Sequence, residues 1–190
     1  MTDFDKTGIF EGDRGPTIQT SSGRRFHLLD PRPEDIHMED ICGPLSRLCR
    51  FSGQCDQFYS VAQHSIICAS YAEHHTNCGR EGGRIMLLHD AAEAYLGDIT
   101  RPLKSLLPQY QEIEAKVWDA IVRRFELDRE MFSIIKSVDN QVLASEKNCI
   151  FTRSEKWPGL PEPEIEIGFV MSPEQARMAY EVKARRHGLL

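Results

Sequence analysis

No apolar run in the 190 residues approaches the length that crosses a bilayer, and no Cys-x-x-Cys occurs among the six cysteines. The first absence argues against a membrane protein, the second against a zinc ribbon or a redox dithiol motif. Basic residues are the minority, 23 Lys and Arg against 29 Asp and Glu, giving a net charge of -6 and a pI near 5.7. A broad nucleic-acid surface needs clustered cations that this balance does not supply, so only local basic pockets remain. The N-terminus, with Asp3 and Asp5 and no apolar stretch, lacks the form of a signal peptide. Cys42, Cys49, Cys55, Cys68, Cys78 and Cys149 fall at irregular spacings, several inside apolar helical patterns, as small buried thiols of a reduced protein do. Internal repeats and low-complexity tracts are also missing. Together these absences predict a soluble cytoplasmic protein that works on neither membranes nor nucleic acid.

What is present suits one helical domain. A hydrophobic content of 41% over this length supports a single buried core. Residues 1–35 are rich in Gly, Asp, Thr, Ser and Pro. Ser21-Ser22-Gly23, between Thr17-Ile18-Gln19 and Arg25-Phe26-His27-Leu28, predicts a peripheral hairpin or extended arm. From 36 to 190 the pattern is helical. Ile36, Ile41, Leu45 and Leu48 approximate helical spacing, with Gly43-Pro44 expected to start or bend the helix. Ser60-Val61-Ala62-Gln63 has the form of a capping box and puts His64 in the first turn of a helix, its side facing the core with Ile67, Cys68 and Tyr71. A helix carrying Arg84 to Leu96 is expected to end at Gly97. Amphipathic patterns over 108–125 and about 128–152 predict two more. Trp157-Pro158-Gly159-Leu160-Pro161-Glu162-Pro163 is a connecting loop, 164–170 a brief extended stretch, and Ser172-Pro173-Glu174-Gln175 the capped start of a last helix.

Chemistry concentrates at His89-Asp90. Glu93 follows one helical turn on, so acid groups enter an apolar helix at Ile85, Leu88 and Ala92, a costly arrangement unless hydrogen bonds, ion pairs or a metal compensate. Alone, such a pair is more often a satisfied local contact, and His64 alone a buried histidine on a backbone carbonyl. The combination reads differently. His64, His89, Asp90 and Asp139 come from three core-facing helices, and two imidazoles with two carboxylates suit a divalent ion whose identity stays open among Mn, Co, Zn, Fe, Ni and Mg. Such an ion lowers the pKa of a water and polarises a phosphoryl oxygen, with Glu93 the natural acid/base partner. Arg50, Lys104 and Arg47 offer charges for phosphate oxygens, and Thr100 and Arg101 share the loop of Lys104. Glu146, two turns beyond Asp139, can serve the site or an ion pair.

In order and spacing, His64, His89-Asp90 and Asp139 resemble the H…HD…D signature of the HD-domain metal phosphohydrolases, an all-α fold. His89-Asp90-x-x-Glu93-x-x-x-Gly97-Asp98-x-x-x-Pro102-x-Lys104 is similar to the bacterial HD-domain 5'-deoxynucleotidases and the small phage dATP triphosphohydrolases, and Phe58-Tyr59-Ser60-Val61-Ala62-Gln63-His64-Ser65 has the phage-like form of the first histidine motif. The resemblance spans about residues 36 to 150. It implies a single HD-domain helical bundle over 36–190 behind an arm over 1–35. It also implies metal ligation by His64, His89, Asp90 and Asp139, a water-orienting Glu93, Asp98 on the deoxyribose, and Arg50 or Arg47 on phosphate. The expected activity is hydrolysis of a deoxynucleotide, with a lean toward release of triphosphate from a dATP-like substrate and 5'-deoxynucleotidase action on dNMPs as the alternative. A non-catalytic nucleotide-binding module of the same fold is the reading from another class, and self-association stays open.

Overall fold

Serine caps and buried apolar stripes set the helices of the computed structural model, which describes residues 14–153 and 155–190 and the backbone of 11 and 12. The reading of Asp3 and Asp5 lies outside these residues. In chain order the elements are β1 (Glu11–Gly12), β2 (Gly15–Gln19), β3 (Arg25–His27), α1 (Met38–Arg47), α2 (Val61–His75), α3 (Gly79–Leu88), α4 (Glu93–Leu96), α5 (Arg101–Lys104), α6 (Pro108–Phe125), α7 (Ile135–Ile150) and α8 (Pro173–Arg186). Helix dominates. The three strands form a small antiparallel sheet in the order β1-β2-β3, with Ile18 opposite Phe26. No helix among the described residues is long and apolar enough to cross a membrane.

The centre is the pair α2 and α3, against which α1, α7 and α8 also pack. Cys68, Ala69 and Ala72 of α2 and Ile85 to Leu88 of α3 are fully or almost fully buried. Small residues let the two axes approach. A Cβ at Gly83 would meet Glu73 Cγ at 2.7 Å and His187 Cε1 at 2.6 Å, so glycine there admits both α2 and the end of α8. Buried Tyr180 of α8 donates to the Leu87 carbonyl (2.5 Å), fastening α8 to the end of α3 just before His89. The six cysteines are free thiols.

Several elements depart from the sequence expectation. The hairpin forms as expected but is not merely peripheral. Phe26 is fully buried and stacks on Tyr95 (4.0 Å, 21°), and Asp40 of α1 accepts from Ser21 Oγ, Ser22 N and Ser22 Oγ. Pro44 neither starts nor ends α1, which begins at Met38 and keeps proline inside because Ile41 and Leu45 hold both halves against the core. The expected helix over 128–152 is a 3-10 turn (Arg129–Ile134) followed by α7. Residues 164–170 pair in no sheet. Ser60 caps α2, accepting from Gln63 N (3.1 Å). The Gln63 side chain does not return to the cap; it donates to Phe169 O and accepts from Met171 N, both at 2.8 Å, tying the chain before α8 to α2.

The most consequential departure falls at His89-Asp90. The helix expected to run unbroken to Gly97 stops at Leu88 and resumes at Glu93. His89 and Ala92 keep right-handed helical angles, but Ala91 N bonds to Leu88 O (2.8 Å) and Glu93 N to Asp90 O (3.0 Å), the tighter i to i+3 pattern. Gly97 then ends α4 at φ 84°, ψ 155°, a backbone that side chains with a Cβ rarely adopt, and the chain turns back along Asp98 to Arg101.

Candidate metal centre and cavity

Four ligand atoms converge where α2, the α3–α4 junction and α7 meet. His64 Nε2 lies 3.3 Å from His89 Nε2, 3.3 Å from Asp139 Oδ1 and 3.6 Å from Asp90 Oδ2, and His89 Nε2 lies 3.2 Å from Asp90 Oδ2. The other nitrogen of each ring fixes its tautomer. His64 Nδ1 donates to Glu146 Oε1 (2.6 Å) and His89 Nδ1 to the Met86 carbonyl (2.7 Å); since both acceptors can only accept, Nδ1 carries the proton of each bond and Nε2 is the nitrogen turned inward. Two lone pairs and two carboxylate oxygens facing one another repel unless a cation or a proton lies among them. With ligand distances of about 2.0–2.2 Å, neighbouring ligand atoms around one ion stand about 2.8–3.6 Å apart, which spans the four separations here. The residues therefore fit a divalent ion.

A second donor set overlaps the first. The ligand atoms of His64, Cys68 and His89 lie within 4.8 Å of one another, so this group too can hold a metal. Burial pushes the Cys68 thiol up to about 11, whereas Asp90 and Asp139 are already ionised. The carboxylates are the readier ligands, because a thiol must first lose its proton.

Electrostatics keep the cluster poised. Burial would raise Asp90 and Asp139, yet the neighbouring imidazoles hold both well below the usual carboxylate range. Burial and Arg50 press His64 toward neutrality, but Cys68, Glu146 and Asp139 outweigh them, and its pKa is raised well above the ordinary value. Glu146 is fully buried, and Arg50 with His64 keeps it ionised against that burial. Its second oxygen accepts from Arg50 Nη2 (3.1 Å), so one carboxylate aligns both a ligand ring and a cation of the cavity. Glu93 behaves oppositely. Burial, Asp90 and Asp98 raise its pKa well above the normal glutamate value, despite Arg50 and Lys104.

Beside the cluster opens a cavity of about 510 Å³, lined by Asp90, Glu93, Asp98, Thr100, Lys104 and Asp139 among others. Arg50 reaches it because the chain after α1 runs antiparallel to the start of α2: Arg50 N bonds to Tyr59 O (2.8 Å) and Val61 N to Leu48 O (3.0 Å). Its Nη1 sits 3.6 Å from Asp90. Arg47 is not brought in. It is exposed at the end of α1, its guanidinium folded back beside Gly43, so of the two arginines named from sequence only Arg50 lines the cavity. Lys104 Nζ is 2.6 Å from Glu114 and 4.0 Å from Glu93. Burial raises the Asp98 pKa.

Four further participants were named without a fixed role or not named from the sequence. Arg101, noted only as a loop cation, pairs with Asp139 and donates to Asn140 Oδ1 (2.9 Å). Glu146 turns out to serve both the site and an ion pair, and its position two turns beyond Asp139 was the available signal. Phe51 and Trp157 also line the cavity. Nothing in the local pattern of a proline-rich loop marks Trp157. Two buried atoms of lining residues, Arg50 Nε and Glu93 Oε2, have no hydrogen-bond partner in the protein, leaving polar capacity for a ligand.

No protein-family model matches the chain. Two proteins are similar to it over most of their length. The uncharacterized protein YfdR of Escherichia coli (strain K12) is 36% identical over 164 residues, covering 84% of this chain and 88% of that one. An uncharacterized protein of Rhodobacter capsulatus is 34% identical over 184 residues, covering 89% and 93%.

Proposed function

The chain belongs to the family of the YfdR protein of Escherichia coli, and from the site it carries we propose that it is an HD-domain phosphohydrolase, dependent on a divalent metal, that acts on deoxynucleotides. The observation that carries this reading is the convergence of two inward-facing imidazole nitrogens and two ionised carboxylates beside a cavity that also holds Arg50, Arg101 and Lys104. A binding module needs the cations but gains nothing from gathering two imidazoles and two carboxylates at these separations.

His64, His89, Asp90 and Asp139 would hold the ion, which supplies charge for a phosphoryl oxygen and acidifies a water. The rest falls to the chain. Arg50, fixed by Glu146, lines the cavity with a cation for a phosphate oxygen, and Lys104 adds a second charge. Arg101, half exposed and paired with Asp139, would add a third charge toward the substrate with the metal bound. Glu93, which burial and the carboxylates of Asp90 and Asp98 make hold a proton more tightly than an ordinary glutamate, would be the site's proton carrier. Asp98 and Thr100 follow Gly97 along the cavity wall, placed to accept from and donate to sugar hydroxyls.

Charge supports one substrate over the other. Two of the cavity's cations are already engaged, Arg50 by Glu146 and Lys104 by Glu114, and Asp90, Asp98 and Asp139 add negative charge to the same wall. Little positive charge is left for phosphates beyond the one at the metal, which supports the 5'-deoxynucleotidase reading over the triphosphate release suggested by the first histidine motif. Incubating the protein with Mn²⁺ or Co²⁺ and either dNMPs or dATP and dGTP tests it. Orthophosphate from the monophosphates is expected; intact triphosphate from the dNTPs alone would reverse the choice, and no release from either would remove the enzymatic reading.

A further inference from the structure

The cavity has a second chemistry that phosphate cannot explain. Next to Arg50 its wall becomes apolar: Phe51, Leu143, and Trp157, Pro158 and Leu160 from the loop between α7 and α8. A site that handled only a phosphoryl group would need charge and a metal, not an aromatic wall.

Two features suggest that this wall is built for a flat ligand. Phe51 and Ser52 sit consecutively in the left-handed region, at φ 57° and 52°, where residues with a Cβ are seldom found. The conformation lets neighbours in sequence, Arg50 and Phe51, line one cavity, the guanidinium turned to Asp90 and Glu146 while its carbon lies 5.0 Å from the Phe51 ring centre. Beyond Phe51 stands Trp157, with ring centres 6.1 Å apart and planes inclined at 56°. Phe151 meets the same indole edgewise, at 5.2 Å and 65°. Neither neighbour lies parallel to the indole, so neither takes up the offset stacking that its faces favour.

We propose that the Trp157 loop and Phe51 form the seat of the nucleobase, so that this site selects phosphomonoesters carrying an aromatic base over sugar phosphates without one. The proposal rests on the deoxynucleotide reading and adds the element that recognises the base. Recognition is by stacking more than by edge reading. No Asn or Gln lines the cavity among the described residues, and an aromatic platform accepts every base because every base has a π face. Purines, with the larger face, are held more tightly than pyrimidines, but both are substrates.

The test uses the full chain. The protein has two tryptophans, and Trp118 packs against Phe132 outside the cavity lining, so Trp118→Phe leaves Trp157 as the reporter. In metal-free protein, titration with dAMP or dTMP should change the indole emission, while 2-deoxyribose 5-phosphate and inorganic phosphate should not. With the divalent ion present, Trp157→Ala should raise KM for nucleotides about five- to a hundredfold, Trp157→Phe should restore most of the loss, and KM for 2-deoxyribose 5-phosphate should stay unchanged in both. An unchanged nucleotide KM in Trp157→Ala, or an equal rise for the base-free ester, would overturn the proposal. If the loaded protein hydrolysed no phosphoester, the reading of the function would fail by itself, and the metal-free titration would still decide this one: a response to nucleotides alone upholds it, and silence rejects it.

Discussion

Two buried glutamates, both under the influence of Arg50, show how one residue type takes opposite roles in one site. Glu146 is surrounded by donors and stays ionised; its Gln variant keeps an acceptor for His64 but must turn an amide N–H toward Arg50. We expect Glu146→Gln to lower the affinity for Mn²⁺ or Co²⁺ about 10- to 100-fold, as loss of a group that orients a ligand does. Competition against a chromophoric chelator measures it, and an unchanged Kd would reduce Glu146 to a packing role. Glu93 lies near Asp90 and Asp98 and holds its proton more tightly than an ordinary glutamate. Its folded pKa lies above the ordinary value of 4.5, so the folded state binds the proton more tightly than the unfolded chain. That contribution to stability is complete below about pH 4 and is lost as pH rises through the folded value. Glu93→Gln cannot ionise. In EDTA its Tm should therefore gain on that of the unmodified protein as pH rises from about 4 to 8, and with metal restored its turnover should fall about 10²- to 10⁴-fold. A Tm difference that does not vary with pH would show that Glu93 titrates normally.

At the level of elements, the sequence is most readable where one local rule acts alone. Helix α6 spans the expected 108–125 because proline opens it and an uninterrupted apolar face fills it. Helix α8 shows the full Ser172–Gln175 box because that cap is exposed and has no competing partner. Reading fails where tertiary contacts outbid the local rule. Gln63 has the same sequence signature as Gln175, yet the backbone at Phe169 and Met171 claims its amide. The α3–α4 junction looks helical throughout, and His89 and Ala92 do keep helical angles. What the sequence conceals is the change in hydrogen-bond register, since His89 turns inward onto His64 while Leu87 is held from behind by Tyr180, 93 residues along the chain. The metal-ligand candidates were legible because four chemically distinctive residues recur on core-facing positions. The aromatic wall was not, because Trp157 reaches the cavity from a loop with no periodicity to betray its direction.

For the molecule as a whole, the centre joins segments far apart in sequence, His64 on α2, His89 and Asp90 after α3, and Asp139 on α7. Without a cation the protein balances this cluster with substitutes, an Arg101 that is half exposed and a proton held by His64. An ion that binds the folded chain and not the unfolded one adds stability by mass action, about 2.7 kcal/mol at a concentration near 100 times its Kd. For a chain of this size that corresponds to a rise in Tm of about 5–11 °C. Protein stripped with EDTA should gain this on addition of Mn²⁺, Co²⁺ or Ni²⁺, and less at lower pH, where protons compete for the imidazole nitrogens. Asp139→Ala removes a ligand and also frees Arg101, so its metal-free Tm is the reference for its own titration. There the gain should vanish. If Asp139→Ala were stabilised by the ion as much as the unmodified protein, α7 would contribute no ligand, and the ion would sit instead among His64, Cys68 and His89.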